Sequence, residues 1–189
     1  SAEFLGRGGL LTGNLARLMH LESDNQEIDR NLALEVLNAS NLYWTRRPYG
    51  WFNQLNKHVL NPLGFDYASG SAVHLDICQV ATRPVWGQLS SVEQTALISE
   101  DLPFLKLQIE RGSYKAIYLN GRTVLNTVMQ TGLVELELAT SFAREKAGKC
   151  EIYVGQSSDG TRFVGWSLNI QNRATPKDKQ QLTQILKTL

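Results

Sequence analysis

The 189-residue chain carries 19 Lys and Arg against 18 Asp and Glu, a net charge of +1, with 42% hydrophobic and 20% charged residues. This composition suits one globular domain with a core of its own. It contains no apolar run near the roughly 20 residues of a membrane span, and it provides no global basic field of the kind that wraps duplex DNA.

Phe4-Leu5-Gly6-Arg7-Gly8-Gly9-Leu10-Leu11 opens the chain with one ring followed by three glycines. A ring beside a glycine-lined backbone can stack on a flat ligand; the same glycines can equally serve the turn before a helix. Leu11, Leu15, Leu18 and Met19 predict a helix over 10–21, and Ile28, Leu32, Val36 and Leu37 another over 28–42. Tyr43 to Trp51 reads as a loop in which aromatics alternate with Arg46 and Arg47, suited to nucleic-acid stacking and phosphate contact or to a loop pinned by its own rings. A short helix is expected over 51–59. Val73, Leu75 and Ile77 alternate with His74, Asp76 and Cys78, which predicts a strand over 72–80.

Ser90-Ser91-Val92-Glu93 fits a capping box that starts a helix, and Leu102, Leu105 and Ile109 predict helix over 101–111. A strand over 115–119 turns at Gly121 into a helix over 122–130. Strands are expected over 134–139, 150–154 and 162–169, and Thr175-Pro176 caps a final helix. Strands separated by helices predict an α/β fold: a three-layer α/β/α arrangement around a mostly parallel sheet of about four strands. Ligands of such sheets sit outside the carboxyl ends of the strands. Asp76 with the 79–84 loop, Asn120-Gly121 and Ser167-Leu168-Asn169 all fall at such ends.

The glycine segment at 3–11 resembles an element of the uracil-DNA glycosylase superfamily, in its iron–sulfur-bearing thermostable branch. Leu75-Asp76 followed by Thr82-Arg83-Pro84 is similar to that family's strand ending in Asn and its Arg-Pro loop. The stretch from Asp101 to Gly121 resembles its next helix and strand, and Val164 to Asn169 with the Pro176 helix stands where a strand ending in His-Pro and a terminal helix belong. The resemblance implies a single domain over 1–189 that lacks its first strand and catalytic loop upstream of residue 1. It implies a DNA glycosylase that hydrolyses the N-glycosidic bond of a flipped-out damaged or deaminated base. On this reading Asp76 and Asn169 are catalytic. Phe4, Gly6, Asp76, Trp166, Ser167 and Asn169 line the base pocket, and Arg7, Arg46, Arg47, Arg83 and Arg173 meet the DNA. The implied partners are DNA and a nucleobase, with no membrane, for a monomer in the cytoplasm or on the nucleoid.

The departures are chemical. Trp166 and Ser167 replace the His-Pro pair that steadies the leaving base in the family. Asp76 replaces a base-reading Asn: an amide donates and accepts, whereas an ionised carboxylate only accepts. Asp76 is therefore either a reader of an exocyclic amine or the carboxylate that activates water. The cluster ligands are missing too. Cys78 and Cys150 are too few for a four-cysteine zinc or iron–sulfur site, and His20, His58 and His74 are scattered, so no metal and no cofactor are expected. Two unpaired thiols are expected rather than a disulfide. The alternative function is a protein of the same fold that binds a nucleobase, nucleotide or DNA without cleaving a bond.

Overall fold

A computed structural model describes Asn31, Leu34, residues 43–46 and 50–78, Thr82, and residues 84–172 and 174–189. They form two compact units, one from the described residues within Ser1–Gly50 and Asp66–Asp101, the other from those within Trp51–Phe65 and Leu102–Leu189.

In the first unit Asn31 and Leu34 are helical and exposed; the rest of the helix expected over 28–42, and the helix expected over 10–21, lie outside the described residues. Tyr43–Arg46 is a helical turn, not the loop that its composition suggests. The Trp44 ring stacks on Tyr67 at 4.1 Å and 11°. Burial pushes the Tyr67 phenol up to about 12. Residues 72–78 alternate in sequence yet form no strand, because no strand pairs with them among the described residues. The expected capping box is present. The Ser90 backbone N–H and hydroxyl both donate to Glu93 Oε2 at 2.7 Å, and the Glu93 N–H donates back to Ser90 Oγ. It starts α1, Ser91–Gly112, which joins the two helical stretches read from the sequence and carries Pro103 inside it.

The larger unit holds the sheet: β1 (Ala116–Asn120), α2 (Arg122–Thr131), β2 (Glu137–Ala143), β3 (Lys149–Gln156), β4 (Arg162–Trp166) and α3 (Pro176–Leu186). The strand order is β1-β4-β3-β2. Only β1 and β4 run parallel; β3 is antiparallel to both of its neighbours. The expectation of a mostly parallel sheet is corrected accordingly. Parallel neighbours need a crossover of a dozen or more residues. The connections after β2 and β3 are tight turns, closed by Arg144 N–H to Gly148 O at 3.0 Å and by Ser157 N–H to Thr161 O at 3.0 Å. Strand β2 also starts later than the expected span of 134–139, with a register shift between Leu138 and Thr140.

Period-two alternation puts Phe142, Cys150, Ile152, Val164 and Trp166 on one face of the sheet, and all five are buried. On the other face Gly165 makes room for α2: a Cβ there would stand 2.6 Å from Leu125 Cδ1. Helix α3 starts where Thr175 and Pro176 predict, with Asp178 completing the capping box. Its partner is a helical stretch at 52–63, whose Val59 and Leu60 are buried as are Leu182 and Leu186 of α3.

Candidate functional site

The structure brings together the polar residues that end the parallel pair β1 and β4. Asn120 and Trp166 are register partners. The Trp166 indole N–H donates to Asn120 Oδ1 at 2.9 Å, and the Ile170 N–H donates to the same oxygen at 3.3 Å. Asn120 Nδ2 donates to Gln171 Oε1. Asn169 Oδ1 accepts from the Gln171 N–H at 3.0 Å, which folds the loop after β4 into a tight turn. Gly121 takes φ +97°, where a side chain is strained, and a Cβ there would stand 3.3 Å from Asn169 Cβ. Gln171 Nε2 is buried without a hydrogen-bond partner among the described residues.

This geometry assigns the sequence-nominated groups to structural work. Trp166 is fully buried, so its ring face is packed against protein. Ser167 Oγ accepts from the Glu151 N–H at 2.9 Å, and the Asn169 amide oxygen is committed to its own loop. Asn120, which sequence reasoning placed only at a strand end, is the residue around which the cluster is organised. The signal that could have found it is Asn-Gly at a strand terminus, followed by a helix.

Asp76 lies in the other unit, half-buried, and its Oδ1 is 3.2 Å from Nε2 of His74. Two residues apart, both side chains project to one side of the segment. A carboxylate hydrogen-bonded to an imidazole fixes the ring's orientation, an arrangement that acid–base chemistry uses. Sequence reading singled out Asp76 and passed over His74; the alternation at 72–80 was the signal.

A second charged group sits at Glu151 on β3. Its carboxylate meets Lys149 Nζ at 2.9 Å and Arg122 Nη2 at 3.2 Å, with the Tyr153 hydroxyl at 3.5 Å. The Lys149 ammonium and the Arg122 guanidinium hold it below the ordinary glutamate range.

Phe4, Gly6, Arg7, Arg47, Arg83 and Arg173 lie outside the described residues, and Arg46 ends the 43–46 turn without a described side chain. Among the described residues no three His, Cys, Asp or Glu side chains gather as a metal site, and no helix is long and apolar enough to cross a membrane. No disulfide joins Cys78 to Cys150. Searches against protein-family models, curated proteins and solved structures matched nothing.

Proposed function

We propose that the chain is a DNA glycosylase-like hydrolase in which Asp76, paired with His74, activates water against the N-glycosidic bond of an extruded base. The observation that carries this reading is the 3.2 Å contact between the two side chains. The water oxygen bonds to the sugar anomeric carbon as the carbon–nitrogen bond breaks. The electron pair leaves with the base, and the water proton passes to the Asp76–His74 pair. A three-layer arrangement belongs to the same reading. That arrangement rests on the sequence resemblance.

The second reading, a nucleobase- or DNA-binding protein without chemistry, is favoured by the internal hydrogen bonds of Asn120, Ser167 and Asn169. Groups already committed to the fold are poorly placed to steady a leaving base. The two readings separate in an assay of base release from oligonucleotides carrying uracil, hypoxanthine, xanthine or a mismatch. Release by the intact chain that is abolished in Asp76→Asn supports the hydrolase. Release that survives in Asp76→Asn with its preference moved toward uracil makes Asp76 a base reader. Binding without release supports the second reading.

A further inference from the structure

Three basic groups converge in the larger unit. The helical stretch at 52–63 supplies Lys57 and His58, and α3 supplies Lys179. The two segments are pinned together there: the Thr183 hydroxyl donates to the His58 carbonyl, and Lys179 Nζ donates to Gln54 Oε1 at 2.6 Å. Gln54 is neutral, so it positions the ammonium without cancelling its charge. Among the described residues, Lys57, His58 and Lys179 take part in no ion pair. The acid nearest in sequence to Lys179, Asp178, is turned to Arg144, Glu145 and Thr175. The groups that bear on His58 are therefore Lys57 from its own segment and Lys179 from α3. With burial first and these two lysines after it, they hold the imidazole below its ordinary value.

A local excess of positive charge in a chain whose net charge is +1 is a feature of placement, since residues far apart in sequence create it. Holding like charges together costs stability unless an anion relieves it. We propose that Lys57, His58 and Lys179 form a contact surface for the sugar–phosphate backbone of a nucleic acid, bound without reading bases. The choice of nucleic acid among polyanions rests on the DNA reading above. Backbone contact of this kind is electrostatic, independent of sequence and dependent on salt. A bound phosphate also favours the imidazolium form of His58, so binding takes up a proton and tightens as pH falls.

The test uses the intact chain with undamaged single-stranded and duplex oligonucleotides of about 16 nucleotides, with polyglutamate as a second polyanion. The expected result is binding to DNA that weakens with salt, with the logarithmic slope reduced by about 0.7–0.9 in each of Lys57→Gln and Lys179→Gln. The His58 ring resonances should titrate at higher pH in the complex than in the free protein. Circular dichroism of both variants establishes that they are folded. Since Lys179 also holds Gln54, the exposed Lys57 gives the cleaner variant. Unchanged slopes in folded variants, or a His58 titration that DNA leaves in place, would overturn the proposal. Polyglutamate bound as tightly as DNA would also overturn it. Undamaged DNA needs no bond cleavage, so lysine-dependent binding to it, together with no base release from the oligonucleotides carrying uracil, hypoxanthine, xanthine or a mismatch, would sink the hydrolase and leave this surface standing. Base release with DNA binding indifferent to both lysines would do the reverse.

Discussion

The Trp166 indole N–H is hydrogen-bonded to the Asn120 side-chain oxygen across the parallel β1–β4 pair, and the same oxygen takes the N–H of Ile170. One amide thus satisfies two donors in the interior where the sheet meets its last loop. Asn120→Ala strands both. A buried donor left unpaired costs about 1–3 kcal/mol, so the variant is expected to lower the urea midpoint with little change in the slope of the transition. A variant as stable as the natural chain would show that the cluster does not hold the strand ends together.

Gly121 begins α2 with φ +97° and faces Asn169 closely. Gly121→Ala meets both backbone strain and crowding by the Asn169 Cβ. The expected loss exceeds about 1 kcal/mol, measurable by thermal unfolding. An Ala variant that matches or exceeds the parent would contradict the positive φ.

Asp178 is buried at the start of α3. Burial alone raises its carboxyl, but N–H groups of Glu145 and Thr175, the Thr175 hydroxyl and the Arg144 guanidinium outweigh it. The carboxyl therefore lies below its ordinary value of 3.8. The group is depressed on folding, so its contribution is present above that ordinary value and is lost as pH falls through the lower folded value. Asp178→Asn is expected to be less stable than the parent at neutral pH, by about 1–3 kcal/mol, with the gap closing in acid below 3.8. A gap that stays constant through this range would show that the carboxylate charge plays no part.

Cys150 is fully buried, and burial pushes its thiol up against the opposing hydrogen bonds from Leu168 and Ser167. Cys78 is half-buried. Brief alkylation of the folded chain should modify Cys78 and spare Cys150 until unfolding exposes it. Equal labelling of both in the native state would contradict the placement of Cys150 in the sheet core.

What the sequence made legible follows from how local each signal is. The Ser90–Glu93 cap spans four residues and the Thr175-Pro176 start two, and both helices start where those residues say. The turn from β1 into α2 is likewise written in Gly121. Strand direction is not local. Short apolar strands over 150–154 and 162–169 read the same whether parallel or antiparallel, and the tight turn Ser157-Ser158-Asp159-Gly160-Thr161 was the signal that went unused. The strand expected over 72–80 failed for the same reason, since alternation alone supplies no partner. At the candidate site, residue types pointed to Asp76 and to the end of β4. They could not reveal that His74 stands against Asp76, or that Trp166 is spent on Asn120.

The account turns on whether the Asp76–His74 pair performs chemistry, and the direct measurement is single-turnover base release from oligonucleotides carrying uracil, hypoxanthine or xanthine. The comparison is between the natural chain, Asp76→Asn and His74→Ala, each verified as folded. The account predicts release by the natural chain of at least one of these bases, lost in Asp76→Asn and slowed about 100-fold or more in His74→Ala, the range of acid–base contributions. Release that is indifferent to both substitutions, or no release of any base by the folded natural chain, would contradict it.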